Sequence, residues 1–265
     1  MRQVRLETPY GSTMITIPLP GDFESFYVFA MHKSGSTLLN NMMVKVLQAT
    51  GIPQMAISEL AFLAGLPENK ILNPKDVIFE RGYCYRRYRS FPEYLSNFDL
   101  SAKKKILLIR DPRDMVVSYF FSYTQSHSIP DAGVIRDELL AKRQEAAETN
   151  IDESCLADIA DFIGEFTGYE HLLNTDIKIY RYEDVIFNKV AWLQDILSYF
   201  GIKAPLEFIS NVARENDVIP QKERPDQHIR QVHPGNFRKH LKNETIVKLN
   251  ALLKPILEKY HYSID

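Results

Sequence analysis

Cysteine is nearly absent: Cys84 and Cys155 are the only two in 265 residues. That is too few for a disulfide framework or a thiolate metal centre, and it suits a reducing compartment. No apolar run approaches the roughly 20 residues that span a bilayer. Residues 1–6 are charged where a secretion signal carries its apolar stretch. These absences predict a cytoplasmic protein with no membrane partner. Neither sign of charge is in excess, the formal net charge being −2 with 25% charged residues. There is thus no global pull toward nucleic acid, and any anion site must be a local concentration of positive charge. Internal repeats and low-complexity tracts are lacking too. With 45% hydrophobic residues, the chain reads as a single domain over 1–265, long enough to bury a sizeable core.

What is present is an alternation. Strand-like runs fall at 14–17, 26–31, 77–79, 106–109 and 177–180, and helical spacing falls at 38–49, 57–64, 114–123, 135–148, 155–173, 190–200 and 245–260. Strands alternating with helices predict an α/β fold, a central parallel sheet flanked by helices. Ligands of such sheets bind beyond the carboxyl ends of the strands. Two long polar segments, about 125–150 and 217–236, read as lids over that edge.

The segment 26–38 carries most of the chemistry. The apolar run Phe26-Tyr27-Val28-Phe29-Ala30-Met31 leads into His32-Lys33-Ser34-Gly35-Ser36-Thr37-Leu38 and then into helical spacing. A strand, a small-residue turn and a helix start aim backbone N–H groups and the positive helix end at one point, which grips a phosphate-like anion. Gly35 permits close backbone approach, Ser36 and Thr37 add hydroxyls, and Lys33 adds a mobile point charge. The ATP/GTP loop places its lysine after its glycine, whereas Lys33 precedes Gly35. Capping alone is the plainer reading of such a turn.

Two further segments are weaker alone. Arg110 ends the apolar run 106–109, Asp111-Pro112 reads as a helix N-cap with proline at the first helical position, and Ser118 follows on the same helix. Together they can hold a second phosphate, or Arg110 can pair with Asp114 as plain structure. The late segment Arg230-Gln231-Val232-His233-Pro234-Gly235-Asn236-Phe237-Arg238-Lys239 is a basic loop before the last helix. The run 81–89, rich in arginine and tyrosine, reads as a solvated surface with snorkelling side chains. An acceptor or RNA stacking surface is its other reading.

In combination these segments resemble the sulfotransferases that use 3′-phosphoadenosine 5′-phosphosulfate (PAPS) and release adenosine 3′,5′-bisphosphate (PAP). That family's first loop is Pro-Lys-Ser-Gly-Thr-Thr-Trp or a close variant, its strand-tip arginine is followed by serine at the spacing of Arg110 and Ser118, and its late loop is in register with 230–238. Tyr182-Glu183-Asp184 matches its Tyr-Glu-Asp segment. The resemblance implies a P-loop-like sulfotransferase fold in which Lys33, Ser34, Gly35, Ser36 and Thr37 cradle the 5′ phosphosulfate. It places Arg110, Ser118 and Arg230 at the 3′ phosphate, Gln231 and Val232 as backbone donors, and Tyr182 near the adenine. Leu38 stands where the family has its adenine-stacking tryptophan, so apolar contact or another aromatic must hold the base.

The implied reaction moves a sulfuryl group from PAPS to a hydroxyl or nitrogen of a small-molecule acceptor, without a metal. Lys33 would neutralise charge on the leaving oxygen. The strand-end histidine of the cytosolic enzymes is missing, which leaves His127, an imidazole titrating near neutral pH, and Glu59 as candidate bases. Glu80 is a third candidate, beside Arg81, where an ion pair is the plainer reading. The resemblance is nearer to bacterial enzymes of secondary metabolism, and it implies a monomer or weak homodimer. An atypical P-loop kinase and a non-catalytic nucleotide-binding module are the competing readings.

Overall fold

The computed structural model describes residues 1–126, 133–218, 220 and 231–264. The chain opens with β1 (Arg2–Thr8) and β2 (Gly11–Ile17), followed by β3 (Phe26–Ala30), α1 (Ser36–Ala49), β4 (Gln54–Met55) and α2 (Ile57–Leu63). Next come β5 (Cys84–Tyr88), β6 (Lys105–Ile109), α3 (Pro112–Phe121), α4 (Val134–Glu148) and α5 (Ile151–Gly168). The last elements are β7 (Ile177–Arg181), α6 (Tyr182–Val185), α7 (Lys189–Phe200), α8 (Leu206–Glu215), α9 (Phe237–His240) and α10 (Asn243–Lys259).

The central sheet has five strands in the order β4-β5-β3-β6-β7, all parallel. It is the parallel α/β architecture that the alternation predicts. Period-two alternation sends successive side chains to opposite faces. Tyr27, Phe29 and Met31 pack with α5 and α10, while Phe26, Val28 and Ala30 pack with α1, α7 and α8. Both faces are therefore covered, as parallel strands require. From β3 the chain passes to β4 and then β5 on one side and crosses to β6 on the other. That reversal places a crevice beyond the carboxyl ends of β3 and β6.

Three expectations need correction. Residues 77–79 are not a strand. A short 3₁₀ turn at Pro74–Asp76 uses Pro74 O to accept the Val77 and Ile78 N–H groups at 3.1 and 2.8 Å. Tyr85 Oη then accepts from Phe79 N at 2.7 Å and donates to Val77 O at 3.1 Å, so no ladder is left to form. Nor is 81–89 a solvated surface: Cys84, Tyr85 and Tyr88 are buried in β5, beside β3. Arg81 stays at the surface with Asp22 and Glu24. Arg86 is held inside by Gln54 and Asn40 and Arg87 by Glu59, although Arg87 Nε has no hydrogen-bond partner among the described residues. A register irregularity beside Arg87, whose φ is +70°, makes this possible. Finally, 14–17 is a strand as expected, within β2, but β2 pairs antiparallel with β1 outside the main sheet.

Cys84 and Cys155 are free and buried, and they belong to opposite faces of the sheet. Burial pushes both thiols up, so neither offers a thiolate at neutral pH. A thiol-reactive chromogenic disulfide should label neither cysteine in the folded protein and both after denaturation. Rapid native labelling of either would contradict this packing.

Candidate active site

The turn after β3 is shaped by two residues with positive φ, Lys33 at +60° and Gly35 at +95°. Ser34 is buried and ties the turn closed: its Oγ donates to Met31 O at 2.7 Å and its N–H donates to the same oxygen at 3.2 Å. Gly35 is the N-cap of α1. A β-carbon there would stand 3.0 Å from the Tyr182 ring, so both conformation and space call for glycine. The first-turn N–H groups of any helix lack intrahelical acceptors. Here they emerge at the crevice, with the positive helix end behind them.

Arg110 approaches from the tip of β6. It is 5% exposed, its guanidinium lies 4.5 Å from the Tyr182 ring centroid, and Nη1 donates to Lys33 O at 3.3 Å. Nη2 donates to Asp114 Oδ2 at 3.2 Å, so the plain pairing with Asp114 is real. Nε of the same group is buried with no hydrogen-bond partner among the described residues. Burial works against its charge, but Asp114, Tyr182 and Glu183 outweigh that and hold the guanidinium above its ordinary value. A charged side chain with one buried donor left over fits an anion, because an unmade buried hydrogen bond costs about 1–3 kcal/mol.

Asp114 does more than pair with Arg110. Its Oδ2 accepts the Gly235 N–H at 2.8 Å and its Oδ1 the Phe237 N–H at 2.9 Å, which fastens the late loop to α3. Upstream, the Asp111 side chain caps α3 by accepting from Arg113 N at 2.9 Å, with Pro112 at the helix start. Glu183 Oε1 accepts the Asp111 N–H at 2.9 Å. Burial pushes the Glu183 carboxyl up, against that backbone bond. Burial likewise raises the Tyr182 phenol, to about 12, against the nearby Arg110 charge. Tyr182 Oη donates to Val232 O at 2.9 Å.

These segments enclose a cavity of about 530 Å³. Of the candidate residues, it is lined by Lys33, Gly35, Ser36, Thr37, Leu38, Arg110, Ser118, Tyr182, Gln231 and Val232. Ser34 sits beneath the turn and acts on its shape. Glu59 is not part of the lining; its Oε1 is engaged by Arg87, and Arg86 Nη1 lies 3.9 Å from its Oε2. Glu80 is not Arg81's partner either, since Arg81 pairs with Asp22 and Glu24. His127 and Arg230 lie outside the described residues.

The cavity also gathers residues that the motifs do not single out. Phe62, Glu68, Arg89, Tyr119, Tyr123 and Leu139 line its other part. They come from α2 and the loop after it, from the end of β5, from α3 and the segment just after it, and from α4, so only the tertiary fold brings them together. His32 lines it as well. Its N–H donates to Glu165 Oε2 at 3.1 Å and its ring Nδ1 lies 2.5 Å from Glu165 Oε1. Glu165 belongs to α5, far along the chain, and no local signal pairs the two. Asp114 was legible only as a possible partner of Arg110.

Because Asp114 is fully buried on its side chain, Asp114→Ala removes the partner of a buried charge and frees two loop N–H groups. The expected loss of stability is about 3–5 kcal/mol, read from urea unfolding. Amide exchange at Gly235 and Phe237 should accelerate by more than that loss explains. Unchanged protection at both would refute the anchor.

Residues 87–261 match the sulfotransferase domain family, which is well over half of the chain. Among solved structures, the mouse sulfotransferase SULT7A1 complexed with PAP is 14% identical, covers 95% of each chain and superposes with a TM-score of 0.62. Retinol dehydratase in complex with androsterone and inactive cofactor PAP is 15% identical over 96% of this chain and 90% of that one, with a TM-score of 0.49. A sulfotransferase from Alicyclobacillus acidocaldarius is 12% identical over 88% of this chain and 92% of that one, at 0.44. The mouse enzyme supports the sulfotransferase fold. Compared with curated proteins, the chain has no match by sequence. With the family matched from β5 to beyond α10, over the segment that carries Arg110, Ser118 and Tyr182, the chain belongs to the sulfotransferases.

Proposed function

We propose that the protein transfers a sulfuryl group from PAPS to a hydroxyl or nitrogen of a small-molecule acceptor. The observation that carries this is the meeting, in one cavity, of the Lys33–Thr37 turn with Arg110, whose buried Nε has no partner among the described residues. Two anion grips face one space, which is what a nucleotide charged at both its 5′ and 3′ positions needs. In this reading Lys33, Ser36, Thr37 and the N–H groups of the α1 start hold the 5′ group, with Ser34 and Gly35 setting the curve of the turn. Arg110 and Ser118 hold the 3′ phosphate, with Arg230 as a third contact and Gln231 and Val232 as backbone donors.

Leu38 packs with Tyr182, Ile186 and Val232 in a small apolar cluster at the cavity wall. That cluster is suited to an adenine ring and replaces the stacking tryptophan. PAPS, when bound, supplies an activated sulfuryl group on a phosphate leaving group. The ammonium of Lys33 offsets the charge that grows on the leaving oxygen, and the turn brings it to the cavity beside the α1 start.

The other half of the cavity bears on the acceptor. Phe62, Tyr119, Tyr123, Ile135 and Leu139 give it an apolar, aromatic wall, broken by Glu68, Arg89 and Ser122. Small-molecule sites span roughly 300–1,000 Å³, and this cavity falls within that range, which favours a compact acceptor with a flat or apolar body over a polymer. In this reading the described parts of segments 125–150 and 217–236 act as covers, since Ile135, Leu139, Val218, Gln231 and Val232 reach the cavity from them; residues 127–132, 219 and 221–230 lie outside the described residues. A role in secondary metabolism, within the cytoplasm, is the biological setting we assign.

Calorimetry with PAP is the first test: micromolar or tighter binding is expected, and no binding would contradict the reading. Lys33→Ala should then lower PAPS turnover by about 100- to 1,000-fold while PAP affinity falls far less. Magnesium-dependent ATP turnover in place of sulfuryl transfer would favour a kinase. Nucleotide binding with no transfer to any acceptor would favour an inert module.

A further inference from the structure

The turn that carries Lys33 also carries an imidazole, and the reaction proposed above needs a base. His32 lines the same cavity as Lys33, with a quarter of its side chain exposed. Glu165 on α5 holds it twice: the His32 N–H donates to Oε2 at 3.1 Å, and ring Nδ1 lies 2.5 Å from Oε1. A carboxylate can only accept, so that contact places the ring proton on Nδ1. The other nitrogen, Nε2, has no hydrogen bond among the described residues and keeps its lone pair. Glu165 itself is mostly buried, its side chain 13% exposed, so the pair is a held device and not a loose surface contact.

We propose that His32 is the general base of the sulfuryl transfer and that Glu165 is its positioning residue. The inference rests on the sulfotransferase reading and deepens it. A carboxylate bound to one ring nitrogen fixes the tautomer and rotation of a histidine and stabilises the imidazolium that forms when the other nitrogen takes a proton. In the transfer step the acceptor's lone pair forms the new bond to sulfur. The electron pair of the old sulfur–oxygen bond stays on the nucleotide's phosphate, beside Lys33. The acceptor proton passes to His32 Nε2, and the imidazolium, balanced by Glu165, later releases it to solvent. Because His32 and Lys33 are consecutive, one short turn brings the base and the leaving-group cation to the same cavity. The strand-end histidine of the cytosolic enzymes is then unnecessary, and Glu59, engaged by Arg87, is free to be structural.

The test compares the full-length chain with His32→Gln and Glu165→Gln. PAP affinity is measured for each by calorimetry, and sulfate release from PAPS is measured with water as the acceptor. For His32→Gln the account expects sulfate release to fall at least about 100-fold while PAP affinity stays within threefold. Glu165→Gln puts a side-chain amide that can also donate against Nδ1, so sulfate release should fall by at least about tenfold. Imidazole ¹⁵N shifts of the PAP-bound wild-type protein, assigned by loss of the signal in His32→Gln, should show Nδ1 protonated and Nε2 bare. In Glu165→Gln that preference should weaken. Sulfate release within tenfold of wild type in His32→Gln, or a ring protonated at Nε2 in the wild type, would overturn the assignment. Equal loss of PAP affinity and of sulfate release would overturn it too, because His32 would then be shaping the nucleotide turn. Absence of PAP binding in the wild type would instead sink the sulfotransferase reading itself.

Discussion

The buried carboxylate of Asp114 joins three distant stretches of chain at one point. It neutralises Arg110 at the tip of β6, and it accepts the backbone N–H groups of Gly235 and Phe237 from the late loop. Arg110 in turn lies on the Tyr182 ring, which follows β7, and reaches back to Lys33 O after β3. The carboxyl ends of β3, β6 and β7, neighbours in the sheet, are thereby locked to one another and to the loop that closes over them. A buried charge of this kind is tolerable only with its counter-charge in place. The same few contacts that make the site stable therefore also make it stiff, and stiffness is what an electrostatic catalyst needs.

Much of this frame was legible in the residues. Asp111-Pro112 marked the start of α3, alternation marked the parallel sheet, and the small-residue run at Gly35 marked the turn between β3 and α1. These are local signals, each written within a few consecutive residues. Other parts were illegible for a physical reason. The run of arginines and tyrosines at β5 looked like surface because composition cannot show that Glu59, Asn40 and Gln54 wait inside to pair with Arg86 and Arg87. Val77 and Ile78 looked like a strand because apolar burial and strand pairing leave the same mark in so short a run. The His32–Glu165 pair spans α5 and the first loop, so no spacing rule reaches it.

The cavity divides by chemistry as well as by element. One part is built from helix start, lysine and arginine, with a small apolar shelf at Leu38, Tyr182, Ile186 and Val232. The other is walled by aromatic and aliphatic side chains from α2, α3 and α4. His32 and Lys33 share one short turn at that cavity, and a sulfuryl group passing from one part to the other would do so beside them. Positioning two reactants and stabilising the leaving group is the larger share of what such a protein has to contribute.

The central claim is that one nucleotide is gripped at two separated anions, with Arg110 at the second. It is tested most directly by measuring calorimetric dissociation constants for PAP and for adenosine 5′-phosphate, which lacks the 3′ phosphate, in the wild-type chain and in Arg110→Lys. The lysine keeps a positive partner for Asp114 but loses the guanidinium fork. The account predicts that the wild type prefers PAP by about 10- to 100-fold, in line with roughly 1.5–3 kcal/mol for a charged hydrogen-bonded contact, and that the preference collapses in the variant. Equal affinities in the wild type, or an undiminished preference in Arg110→Lys, would contradict it.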